Sequence, residues 1–97
     1  MRKHEPFTVV DAETVALGAL AFIAEDERRL ARFLGATGIA LEDLRARAGE
    51  RSTLQAALGH LLEDESLLLV HATAAGLPPE TFAEAAAVLA GGRPNGG

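Results

Sequence analysis

The chain has 97 residues, of which 48% are hydrophobic and 24% are charged, with a net charge of −5 at pH 7 and no cysteine. This length and composition predict one small globular domain, close to the lower size limit for a core that is stable on its own. The acidic balance disfavours general binding to nucleic-acid phosphates, and the lack of cysteine excludes disulfides, thiolate nucleophiles and thiolate metal ligands.

Alanine and leucine dominate the sequence, whereas β-branched and aromatic residues are scarce. Ala and Leu are the residues that cost least in a helix, so the composition predicts an all-α fold. A core without Trp or Tyr is expected to form by close approach of alanine-rich helices. Gly18, Gly35 and Gly59 fall inside predicted helices, where we expect them to let neighbouring helices approach closely.

Capping and stop signals divide the chain into six helices. Their predicted starts are, in chain order, Asp11 or Thr14, Asp26, Leu41, Ser52, Asp64 and Pro79. The predicted stops include Ala24, Gly38, Ala48, Gly76 and the pair Gly91 and Gly92. We therefore expect a single helical domain over 11–90, an N-terminal arm over 1–10 and a disordered tail over 91–97.

The sequence also repeats itself with an offset of 38 residues. The triplet EDE at 25–27 recurs at 63–65, and Gly38 recurs as Gly76 without any insertion. This predicts a small six-helix bundle built from two pseudo-symmetric three-helix repeats. Each acidic triplet precedes a helix, so we interpret it as a helix cap and not as a catalytic or metal-binding carboxylate pair.

The two repeats differ on the outer face of their second helices. This face is charged in the first repeat and apolar in the second. An apolar face is unfavourable in water, so we expect another surface to cover it in the second repeat. The candidate partner contacts are therefore Arg28, Arg29, Arg32, Leu67, Val70 and Ala74. Three covers remain open for the apolar residues: the N-terminal arm over 6–10, a second copy of the chain, or a different protein.

Two histidines stand where the first repeat has phenylalanine: His60 matches Phe22, and His71 matches Phe33. Both positions are core-like, which predicts half-buried histidines with local hydrogen bonds and not a metal pair. The chain also contains no nucleophile elbow and no glycine-rich phosphate loop. We therefore expect no catalytic residue, no cofactor and no metal site, and a protein that is not an enzyme.

The segment 37–49 is the candidate for DNA recognition. A turn and a short helix with Arg45 and Arg47 resemble a helix-turn-helix pattern. Glu42 and Asp43, however, open the helix at the positions where a recognition helix normally presents hydrogen-bond donors.

The leading hypothesis is a non-enzymatic protein-interaction or regulatory domain that self-associates or binds an unknown protein, and the alternative is regulatory DNA binding. No apolar run is long enough for a signal peptide or a membrane span, which favours the cytoplasm.

The stretch ALAFIAEDERRLARFLGATG at 19–38, together with the motifs DLRARAG and HLLEDESLLL, resembles a domain-of-unknown-function family of short uncharacterised bacterial proteins, mainly alphaproteobacterial. The likeness covers about residues 12–91. It implies one small helical domain without an assigned activity, so no catalytic residue is carried over. His71 stands where the resemblance implies Phe or another apolar residue, which weakens a shared metal role for it.

Overall fold

A computed structural model describes residues 7–91, which form six α-helices and contain no strand within that range. The helices are α1 (Val9–Ala24), α2 (Glu27–Thr37), α3 (Leu41–Ala46), α4 (Arg51–Leu62), α5 (Glu65–Ala75) and α6 (Glu80–Leu89). The predicted all-α, six-helix fold is confirmed.

The centre of the bundle is formed by α1, α4 and α6, which pack against one another. Ala12, Ala16 and Ala19 on α1 are fully buried, as are Ala57 on α4 and Ala85 on α6. Small side chains at these positions let the three helices approach closely, as the composition predicted. The outer helix α2 packs on α1 and α4, α5 packs on α4, and α3 makes only weak contacts with the other helices.

Both predicted aspartate caps are confirmed. The Asp26 carboxylate accepts a hydrogen bond from the Arg29 N–H at 3.0 Å, and the Asp64 carboxylate accepts one from the Leu67 N–H at 3.1 Å. These bonds satisfy N–H groups that the start of a helix leaves without an intrahelical partner. The acidic triplets therefore lie where α2 and α5 begin.

The two predicted glycine stops are confirmed as well. Gly38 has a φ of 77° and Gly76 a φ of 72°, in the left-handed region that favours glycine. As a result α2 and α5 both have 11 residues and begin and end 38 positions apart. These shared features agree with an internal repeat, which stays a prediction.

The start of α1 differs from its prediction. Thr8 and Asp11 form a capping box, in which the Thr8 hydroxyl accepts from the Asp11 N–H at 3.1 Å and the Asp11 carboxylate accepts from the Thr8 N–H at 2.9 Å. Val9 and Val10 are therefore helical, and they are 42% and 68% exposed. Val9 and Val10 are therefore not part of an extended arm over 6–10, which was one of the three possible covers for the fifth helix. Phe7 is partly buried and packs against the core, and residues 1–6 lie outside the described range.

Two boundaries in the middle of the chain also differ. Ser52 was expected to cap α4, but Glu50 occupies the N-cap without a side-chain hydrogen bond, and Ser52 lies inside the first turn. Helix α3 ends at Ala46 and not at about Ala48, because the backbone of Arg47 leaves the helical region with a φ of −125°. The peripheral position of α3 leaves little packing to extend it.

At the C-terminal end, Pro79 occupies the N-cap of α6 and not its first turn. Gly91 has a φ of 89°, which agrees with its predicted role as a stop, and Gly92 and the rest of the predicted tail lie outside the described residues. The expected role of glycine in close helix packing is wrong. A Cβ atom at Gly18, Gly35 or Gly59 would meet no neighbouring atom within 4 Å.

Candidate protein-interaction surface

Helix α5 buries one face and exposes large apolar side chains on the other. Leu68, His71 and Ala72 are buried, whereas Leu69 is 43% exposed and Val70 is 57% exposed. With 3.6 residues per turn, Leu69 and Val70 point away from the buried residues. The outer side of α5 is therefore apolar although it is not part of the core.

The three predicted partner contacts on α5, Leu67, Val70 and Ala74, lie partly on its outer side and partly on its flank. Val70 and Ala74 are exposed, and Ala74 lines a shallow groove of about 190 Å³ against Gly18 of α1. Leu67 is partly buried and packs against the core, so it lies at the edge of the exposed face. Sequence reasoning missed Leu69, although the run SLLLV at 66–70 is too apolar for a single buried stripe.

Helix α2 has a different outer face. Arg28 and Arg32 are exposed, and so are the small residues Ala31 and Gly35 between and beside them. A Cβ atom at Gly35 would extend into open space. The face therefore presents two cations separated by small residues, and the exposed Glu27 lies beside its start.

Arg29, which was also a predicted partner contact, is engaged within the molecule. Its Nε–H donates a hydrogen bond to the carbonyl oxygen of Phe22 at 3.0 Å, and its guanidinium carbon lies 3.9 Å from the centroid of the Phe22 ring. Its Nη2 also lies 3.5 Å from the Glu25 carboxylate. A cation above the face of an aromatic ring is attracted to it by the cation–π interaction. The contacts of Arg29 therefore stabilise the packing of the start of α2 against the end of α1.

Each of the two histidines packs on a phenylalanine of the opposite half of the chain, and His71 also contacts one of its own half. The His71 ring stacks on Phe22 at 4.6 Å between ring centroids and meets the edge of Phe82 at 5.4 Å. The His60 ring meets Phe33 at 5.3 Å with the planes at 77°. His60 is half-buried as predicted, whereas His71 is buried, and among the described residues ring contacts replace the expected local hydrogen bonds.

The surroundings of His71 set its charge. Burial lowers the pKa of His71 below its ordinary value of 6.5; the nearby Glu25 carboxylate acts in the opposite direction, and the Arg29 cation lowers the pKa further. The ring is therefore neutral at pH 7. Within 7–91, no three His, Asp or Glu side chains come together in an arrangement that could hold a metal ion.

The segment 37–49 contains the end of α2, a turn and α3. Arg45 and Arg47 are exposed, and Glu42 and Asp43 occupy the first turn of α3, as the sequence indicated. Helix α3 has only six residues, which is short for a helix that enters the major groove. DNA recognition by this segment stays a prediction.

The fold and its surface define a small all-α domain with two similar outer helices of opposite chemistry. Residues 10–92 match the family described as a protein of unknown function, DUF3572, and the chain belongs to this family. The resemblance to a domain of unknown function is thereby confirmed. Searches of curated proteins and of solved structures give no match. None of the helices in the described part of the chain is long and apolar enough to cross a bilayer.

Proposed function

We propose that this chain is a non-enzymatic, cytoplasmic protein-interaction domain that associates with a second copy of itself. Its contact surface is the outer side of α5, named here the α5 face, and the face consists of Ser66, Leu69, Val70, Thr73 and Ala74. The observation that carries the proposal is the exposure of Leu69 and Val70 on a helix whose other side fills the core.

The matching positions of α2 support this choice of surface. Leu69 and Val70 correspond to Ala31 and Arg32, 38 residues earlier. The fold therefore does not require large apolar residues at these two helix positions. Covering a half-exposed Leu or Val side chain is worth about 1 kcal/mol. Only a few such side chains contribute, so we expect a weak dimer that depends on concentration.

The lining of two surface grooves agrees with a role without catalysis. One groove, of about 340 Å³ and lined mainly by aliphatic side chains, lies between α1, α2 and α3. Another, of about 360 Å³, is lined by Thr37, Gly38, Ile39, Asp43, Arg47, Ser52 and Thr53. Neither lining contains a histidine. Enzymes with a serine or threonine nucleophile commonly use a neighbouring histidine as the general base.

The test is the mass of the protein by sedimentation equilibrium over about 10 to 1000 µM, the range in which weak association appears. The wild type should shift from monomer to dimer, and Val70→Arg should remain monomeric because it places a charge in the contact. Ala87→Arg, on an exposed position of α6, is the matched control and should dimerise like the wild type. A monomeric wild type, or Val70→Arg that dimerises normally, would contradict the proposal.

Regulatory DNA binding through 37–49 is the second candidate, supported by the exposure of Arg45 and Arg47. Its test is a titration with a mixed-sequence duplex at two salt concentrations, because binding through phosphate contacts weakens steeply as salt rises. Salt-sensitive binding that Arg45→Ala with Arg47→Ala removes would support it. No binding at low salt would exclude it.

A further inference from the structure

We infer that the α5 face of one copy binds the outer side of α2 in a second copy, and that a two-fold dimer contains this contact twice. The outer side of α2, named here the α2 face, consists of Arg28, Ala31, Arg32 and Gly35. The inference rests on the self-association proposed above. It adds the surface that the α5 face meets.

Charge is the first argument. The acidic triplet at 63–65 is followed by no cation on the α5 face, whereas the same triplet at 25–27 is followed on the α2 face by the exposed cations of Arg28 and Arg32. Among the described residues the only ion pair joins Arg29 to Glu25, so neither the carboxylates at 63–65 nor these two cations form an ion pair within that part of the chain. Two α5 faces brought together would add like charges to a contact between chains that are already acidic, whereas an α2 face supplies the opposite sign.

Shape is the second argument. Leu69 and Val70 project from the α5 face. Ala31 and Gly35 have a small side chain or none, so the surface of the α2 face is recessed at these two positions. Small residues on one helix let the side chains of another approach closely. The long arginine side chains can cover apolar surface with their aliphatic stems while the guanidinium groups reach carboxylates.

The order of the residues along the helices is the third argument. Arg28 and Arg32 lie in the first two turns of α2, and Glu63 and Glu65 lie at the start of α5. Opposite charges therefore meet when the N-terminal halves of the two helices come together. Each copy owns both faces, so a two-fold axis between two copies would repeat the contact and close the assembly as a dimer, whereas the same contact without such an axis would build larger species.

A charge-swap experiment tests this pairing. The first variant, Arg28→Glu with Arg32→Glu, makes the α2 face acidic, and the second variant, Glu63→Lys with Glu65→Lys, makes the start of α5 basic. Each variant alone places like charges in both contacts and should lose the dimer. A 1:1 mixture places opposite charges in both contacts and should recover a dimer of one copy of each, measured by sedimentation or native mass spectrometry.

Matched controls separate local charge from net charge. Arg45→Glu with Arg47→Glu, and Glu80→Lys with Glu84→Lys, change the net charge by the same amounts at exposed positions outside both faces, and both controls should dimerise. Far-UV circular dichroism establishes that each variant is folded.

The failures of this inference and of the proposed function differ. If the first variant dimerises like the wild type while Val70→Arg does not, the α2 face is the wrong partner and the proposed function stands. A mixture of folded variants that stays monomeric, or wild-type species larger than a dimer, would also overturn the two-fold pairing. A monomeric wild type overturns both proposals.

Discussion

Helices α2 and α5 have the same length and the same caps but opposite surfaces. Each begins after an aspartate N-cap and ends at a left-handed glycine. Phe33 is the single buried residue of α2, whereas α5 buries Leu68, His71 and Ala72 and still exposes apolar side chains. The comparison shows that the signals that set the ends of a helix leave its outer face free to differ.

The largest expected difference between the two helices lies at their matching core positions. Phe33 is fully buried, so Phe33→Ala should lower the free energy of unfolding by about 3–5 kcal/mol. His71→Ala removes a smaller, polar ring and should cost about 1–3 kcal/mol. Urea denaturation at a concentration where the protein is monomeric measures both, and equal losses would show that the two positions are energetically equivalent.

Arg29 provides the next contrast, because Leu67 stands at the matching position of α5. Arg29→Ala removes the hydrogen bond to the Phe22 carbonyl and the cation from the Phe22 ring, and should lower the free energy of unfolding by about 1–2 kcal/mol. Arg29→Lys should recover only part of this loss, since an ammonium lacks the planar guanidinium fork. Full recovery with lysine would show that charge alone matters at this position.

His71 should make the stability of the protein depend on pH in a way that Phe33 cannot. Its pKa is lower in the folded chain than the ordinary value of 6.5, so below pH 6.5 the unfolded chain takes up the proton first. The free energy of unfolding should therefore fall as the pH drops from 6.5 through the folded pKa. His71→Phe, which installs the residue of the first half, should remove this part of the pH dependence.

The measurement is urea denaturation at several pH values between about 5 and 8, where an unperturbed histidine titrates. His71→Gln is the control, because glutamine keeps a polar side chain but takes up no proton. Both variants should give a flatter dependence than the wild type. The same slope in all three proteins would refute the assignment to His71.

The smallest expected effect concerns Gly18 of α1, which corresponds to Ala56 of α4. A Cβ atom at Gly18 would meet nothing within 4 Å, so Gly18→Ala lowers the entropy of the unfolded chain without a clash. It should raise the free energy of unfolding by about 0.5–1 kcal/mol. A loss of stability in thermal denaturation would mean that the site is more crowded than the structure shows.

The sequence was a good guide wherever a structure depends on a few neighbouring residues. Asp26, Asp64, Gly38 and Gly76 act through their own backbone surroundings, so their roles were predictable. The start of α1 lies earlier than Asp11, because Thr8 and Asp11 form a capping box whose spacing of three residues is itself a local signal. The early end of α3 was not visible in the sequence, because no cap residue marks Arg47, where the backbone leaves the helical region.

The candidate surface was predictable only in part. The contrast between the outer faces of α2 and α5 is visible in the sequence, and it identified Val70. The inward turn of Arg29 was not visible, because a long flexible side chain can face solvent or return to a carbonyl, and the choice depends on where Phe22 lies. Leu69 was missed because the three leucines at 67–69 cannot be assigned to faces by hydrophobicity alone.

The ring pairs that join the two halves also bear on how the protein is made. Phe22 and Phe33 leave the ribosome well before His71 and His60, the residues against which they pack. The N-terminal helices therefore cannot complete their aromatic contacts until much of the second half has been synthesised. We expect the nascent chain to remain open until α6, which completes the centre of the bundle, has emerged, and the domain then to fold as one unit.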